Sequence, residues 1–149
     1  MSPDLPANTS AANALAAALP EIQPPHAGAR LLLFGVRQMG MHGLGDACAA
    51  HAFVIAFGKG FRRPLVLLRA LMRDMATVSE RAIPIAPWCC PRMTRSEATL
   101  LAVLGTVHSR PETAGLLLAD MLGVRDASGT LMTASALATA FADMGLPFD

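Results

Sequence analysis

Four helix starts punctuate this chain, each followed by apolar residues at helical spacing. Together they restrict the fold to packed helices before composition is considered. Asp46 is a side-chain acceptor ahead of Cys48, His51, Phe53, Ile55 and Phe57, a run closed by Gly58. Pro64 suits the first turn of a helix over about residues 64–80, because its missing N–H would have been unpaired there anyway. The apolar face of that helix carries Leu65, Leu68, Leu71, Met72, Met75 and Val78, with Arg62, Arg69, Arg73 and Glu80 opposite. Thr94-x-x-Glu97 is a capping box, in which each side chain satisfies a backbone N–H of the first turn. It opens a helix through Leu100, Leu101, Leu104 and Val107. Ser109-Arg110-Pro111-Glu112 opens another, which Gly123 closes.

Two more helices complete the reading. One begins at Gly28 and stops near His42-Gly43, with Leu31, Phe34, Gln38 and Met41 on one face and Arg30 and Arg37 on another. The last spans about residues 133–144 and carries Leu137, Phe141 and Met144. Only residues 82–87 look extended, and Pro84 and Pro87 exclude them from a central strand. The expected fold is all-α: a compact bundle of five or six short helices in residues 28–149, with one long ordered loop at about 81–93. Residues 1–27, rich in Pro and Ala, read as a mobile tail. The alanine-rich stretch Ala11–Leu19 within it is too short to hold as an isolated helix.

Composition supports helices and excludes several functions. The chain is 53% hydrophobic and 15% charged, against about 25% charged in an average soluble domain. Its apolar residues are mostly Ala, Leu and Met, with no Tyr, which favours helix over sheet. So little charge implies an apolar surface hidden against another subunit or a partner protein. A net charge of +1 gives no general reason to bind nucleic acid or an anionic membrane. A spanning helix needs about 20 mostly apolar residues. The best uncharged runs, Ala47 to Gly58 and Ala98 to Thr106, are shorter, so no membrane insertion is expected. The alanine-rich stretch lacks the basic flank of a signal peptide, which argues for the cytoplasm. Three unevenly spaced cysteines make no disulfide framework.

The segment Ile83-Pro84-Ile85-Ala86-Pro87-Trp88-Cys89-Cys90-Pro91-Arg92-Met93-Thr94 gathers reactive side chains, fixed backbone and positive charge. Its Trp88, the one tryptophan of the chain, is expected to pack on the core and hold the loop. The run Pro-x-Cys-Cys-Pro-Arg-Met-Thr, with the upstream Arg-Arg-Pro-Leu-Val-Leu-Leu-Arg-Ala-Leu-Met, resembles a group of small bacterial proteins known only as a domain of unknown function. The resemblance covers roughly residues 30–105. It implies a bacterial origin and no established activity, so it transfers no catalytic residue.

The residues themselves offer several chemistries. Cys48 and His51 are three apart on a helix, and Cys89 and Cys90 could approach from the loop to complete a soft ligand set for zinc. The blander reading is a buried, inert Cys48 among alanines and a hydrogen-bonded histidine, with no cofactor. Cys89, Arg95 and Ser96 match the Cys-x5-Arg-Ser spacing of cysteinyl-phosphate phosphatases, and Cys90 to Arg95 matches a sulfurtransferase loop. Both loops follow a buried parallel strand, which this chain lacks. At least one of Cys89 and Cys90 should be an accessible, more acidic thiol. Arg92, Arg95 and the Thr94 cap form a candidate anion site at a helix N-terminus, unless the arginines are simply solvated or paired with nearby acids. Asp126-Ala127-Ser128-Gly129 imitates the middle of a calcium loop but lacks its end ligands, and reads better as an Asx turn. The leading functional reading is a non-enzymatic helical interaction module that associates with itself or a partner. The alternative is a small metal-binding or thiol-dependent protein centred on Cys89 and Cys90.

Overall fold

A computed structural model describes residues 21–149. Its six α-helices are α1 (Ala27–His42), α2 (Ala47–Phe57), α3 (Arg62–Val78), α4 (Arg95–Thr106), α5 (Pro111–Leu122) and α6 (Ser128–Asp143). A 3-10 turn, Gly58–Gly60, joins α2 to α3. The one sheet among the described residues is a two-residue antiparallel ladder of β1 (Glu21–Ile22) and β2 (Arg92–Met93). The all-α expectation holds. The mobile-tail and alanine-helix expectations fall on residues 1–20, outside the described residues. Residues 21–26, read as tail, are tied down: the ladder pairs Glu21 with Met93, and Gln23 donates to Cys90 O.

Local signals decide where several helices begin and end. Asp46 accepts the Ala49 N–H at 2.8 Å, and α2 stops at Gly58, whose φ of 60° lies in the left-handed region. Both halves of the Thr94–Glu97 box are present at α4. Gly123 ends α5 in the αL conformation. Elsewhere the signals were too weak to fix a boundary. Helix α3 starts at Arg62 and ends at Val78, so Glu80 lies beyond it. Arg110, not Ser109, is the N-cap of α5, and it makes no side-chain cap bond. Helix α6 begins at Ser128, five residues before the expected 133. The Asx turn that launches it is present, with Ser128 N–H donating to Asp126 Oδ1.

The most extensive helix pairings are α3 with α6 and α4 with α5, with α2 lying on α1. Leu68, Leu71, Val103, Leu118 and Leu137 are fully enclosed between them. At one end Phe53, Phe57 and Phe141 meet edge to face, and Phe148 stacks on Phe141 at 4.6 Å. The C-terminal residues thus fold back as part of the core. Gly28 makes this clasp feasible, because a Cβ there would lie 2.8 Å from Leu146 O. In α1 the buried row is Leu32, Val36 and Met39, while Met41 is exposed. Arg37, expected on a separate polar face, is buried. The run Leu31-Leu32-Leu33-Phe34 is apolar all round, so its spacing does not select one face.

Candidate functional site

The connector from Ser79 to Arg92 is held from below by two charged side chains. Arg37 of α1 and Glu97 of α4 pair at 2.9 Å, with side chains only 1% and 2% exposed. The pair is bidentate: Arg37 Nε donates to Glu97 Oε1, and Arg37 Nη2 donates to Glu97 Oε2. Glu97 also accepts the N–H groups of Ala86 and Thr94 at 3.0 Å, so four donors surround its carboxylate. Arg37 reaches onward to the carbonyls of Cys90 and Arg92, both at 2.8 Å. The Thr94 hydroxyl donates to Pro84 O and accepts the Glu97 N–H. Every polar atom of this buried group is used, which is the condition under which a buried pair fixes geometry.

This clamp displays the tip of the connector. Cys90 N–H donates to Pro87 O at 3.0 Å, closing a turn with Trp88 and Cys89 at its centre. Trp88 is 64% exposed, against the expectation that it would pack on the core. The polar clamp makes a hydrophobic anchor unnecessary here. Cys89 is exposed and Cys90 half-buried, beside a cavity of about 420 Å³ lined also by Arg30, Phe34 and Gln23. Arg92 and Arg95 are exposed, whereas Thr94 is buried, and its hydroxyl is occupied from within. The capping donors that an external anion would use at Thr94 N–H and Glu97 N–H serve the chain's own cap.

The four candidate metal or thiol ligands are not brought together. Cys48 and His51 lie on α2, Cys89 and Cys90 on the connector, and no group of three or more His, Cys, Asp or Glu able to hold a metal occurs among the described residues. Cys48, expected to be buried, is exposed. Helix α2 buries only the narrow row Ala49, Phe53 and Phe57. That leaves Cys48, His51, Val54 and Ile55 in solvent, with Ile55 72% exposed. Between Asp46 and Lys59 there is no Asp, Glu, Lys or Arg, so this outward face carries no formal charge.

Sequence reasoning missed two features. The first is the Arg37–Glu97 pair, whose signal was an arginine set within the apolar run from Leu31 to Met39. The second is the outward apolar row of α2, signalled by a helix with no charge on any side.

The buried parallel strand that a phosphatase or sulfurtransferase loop requires is absent among the described residues, whose one ladder is antiparallel and two residues long. No helix among them is long and apolar enough to cross a membrane. No curated protein and no solved structure gives a significant match to the chain. A family model matches residues 10–144, nearly the whole chain and more than the earlier resemblance covered, and the chain therefore belongs to the family described as a family of unknown function, DUF6628.

Proposed function

We propose that this protein is a non-enzymatic, cytoplasmic interaction module that associates with a second copy of itself through α2. One observation carries the reading: the solvent side of α2 is a row of Cys48, Val54 and Ile55 interrupted only by the imidazole of His51, with no Asp, Glu, Lys or Arg. A helix that is apolar on all sides belongs in an interior. Residues three and four apart share a face, so this row forms one continuous stripe.

The charges at the two ends of α2 favour a second copy as the occupant. Asp46 stands at its N-terminus and Lys59 just past its C-terminus. Two copies packed antiparallel place Asp46 of each beside Lys59 of the other, with apolar row on apolar row. An isologous, two-fold contact of this kind is self-complementary. Opposed helix dipoles favour the same orientation.

The chemistry of the two ends supplies a test. Lys59 is the one lysine of the chain. Within one copy it lies about 20 Å from Asp46, thirteen residues along a helical path. A zero-length carbodiimide cannot join them there. Across an antiparallel α2 pair it joins them directly. Treatment of the purified protein should give a covalent dimer whose cross-linked peptide contains Asp46 and Lys59. A dimer linked at other residues, or none at millimolar protein, would contradict the proposal.

A second reading rests on Cys89, an exposed thiol at a fixed turn beside Trp88. It makes the connector tip a thiol-dependent contact site, and alkylation of Cys89 alone would then abolish partner binding while leaving self-association unchanged.

A further inference from the structure

Beneath the first half of the connector lies a cavity of about 390 Å³, at the junction of α1, α3, α4 and α5. This volume falls within the range of pockets that take small organic molecules. Four of the nine methionines line it: Met39 from α1, Met72 and Met75 from α3, and Met121 from α5. Ile83 and Ile85 of the connector form its rim. Ile85 sits so close to bare α1 backbone that a Cβ on Gly40 would lie 2.7 Å from Ile85 Cδ1. Thioether walls are polarizable and change rotamer readily, so they adapt to apolar shapes rather than select one.

The charged groups at the cavity decide what kind of molecule fits. Glu97 is one of them, but its oxygens already hold four donors and its charge is matched by Arg37. Arg81 is the other. Its side chain lies across Gly123, and Nη1 donates to Asp120 O at the C-terminal end of α5. The Glu97 charge is therefore matched from within, and Arg81 is an exposed residue whose charge stands at the solvent edge of the cavity rather than among the methionines. A charge carried in among Met39, Met72, Met75 and Met121 would lose its hydration without gaining a partner there, which is strongly unfavourable. An uncharged apolar guest loses nothing and buries surface against the methionines.

We infer that this cavity is a binding site for a small, uncharged, predominantly hydrocarbon molecule. The site is separate from the outward face of α2 and does not depend on self-association. It lies on the Glu97 side of the buried pair, whereas the Trp88–Cys89 turn lies on the Arg37 side.

The test uses the full-length protein with methionine methyls labelled for NMR, and the neutral probe N-phenyl-1-naphthylamine. Saturable binding at one site is expected, with methyl shifts confined to Met39, Met72, Met75 and Met121. Methyls of the exposed Met41, Met132 and Met144 should stay in place. The substitution Ala76→Phe, at an exposed α3 position on the cavity wall, should plug the site and weaken binding about tenfold or more. Its melting curve reports whether the fold is kept. Decan-1-ol should displace the probe at concentrations about tenfold below those needed for decanoate. Shifts at the exposed methionines with silent cavity methyls would overturn the inference. Equal displacement by decanoate would overturn the uncharged class. Absence of binding in the wild-type protein, which needs no variant to interpret, would overturn both.

Discussion

Beneath the connector two full charges, Arg37 and Glu97, are almost completely enclosed, while on α2 the aliphatic Ile55 is largely in water. Both regions invert the usual partition of polar and apolar groups, and they differ in whether the inversion is resolved within the chain. The enclosed charges have their partners inside: four donors around Glu97, and two backbone carbonyls besides the carboxylate for Arg37. Such a group has its consequence in stability and in the fixed shape of the connector. The exposed row on α2 is left facing solvent by the described residues. Its consequence is association, and it contributes little to the folding of one copy.

The largest effect should come from breaking the enclosed pair. Glu97→Ala leaves the enclosed Arg37 charge without its counter-ion, and removes the acceptor of Arg37 Nε and of the N–H groups of Ala86 and Thr94. It should cost about 3–5 kcal/mol in urea unfolding. The double substitution Arg37→Met with Glu97→Leu should recover part of that loss, because it removes both charges together. Recovery would sharpen the contrast by showing that the pair fixes the connector rather than supplying net stability. A single Glu97→Ala as stable as the parent would break it.

Trp88 offers an intermediate case, a large aromatic side chain supported on the clamp but not packed beneath it. Trp88→Ala should change unfolding stability by no more than about 0.5 kcal/mol. A buried tryptophan would cost about 3–5 kcal/mol, so the two outcomes are well separated. A loss in the larger range would mean that the turn packs onto the core after all.

Cysteine labelling compares the two regions in one experiment. Cys89, at the connector tip, should react quickly at any protein concentration. Cys48, on the α2 row, should react quickly in dilute protein and slowly when the protein is concentrated, because a second copy covers it. Equal rates for Cys48 at low and high concentration would remove it from the interface.

The smallest effect concerns a charge that is neither enclosed nor shared. Asp126 is exposed, and the backbone N–H of Ser128, followed by the Ser128 side chain, holds its carboxyl below its ordinary value of 3.8. A folded-state value below the unfolded one stabilises the fold above the unfolded value, and that stabilisation is lost as pH falls through the folded value. A carboxyl titration by NMR should place the Asp126 midpoint below 3.8, with Asp126→Asn abolishing the step. A midpoint at or above that value would mean the turn is not formed in solution.

What was legible in the sequence was local. The Asp46 cap, the Thr94–Glu97 box and the stop at Gly123 each depend on atoms within a few residues, and the residue types alone announce them. What was not legible was long-range. Arg37 and Glu97 are sixty positions apart, and Glu97 had already been assigned a local role as the cap acid. Its second role, joining α1 and the connector, leaves no mark on spacing. Helix faces failed for a related reason. In α1 and α2 apolar residues occur on every side, so periodicity cannot say which row turns inward, and it misplaces Arg37 and Cys48; Trp88 is exposed for a different reason, because it sits in the connector turn that the long-range clamp displays. The C-terminal clasp by Phe148 follows a Gly and a Pro that mark only where α6 must stop.

The most direct measurement is the mass of the protein in solution by sedimentation equilibrium, for the wild type and for Ile55→Glu. Ile55 is exposed within one copy, so the substitution should leave the melting curve unchanged. In a second copy's contact, a carboxylate at the centre of an apolar stripe loses its hydration without gaining a partner. The account predicts a concentration-dependent dimer for the wild type, and a monomer of 15.6 kDa, the mass of one chain, for Ile55→Glu. A wild type that stays monomeric throughout, or an Ile55→Glu protein that dimerises equally well, would contradict it.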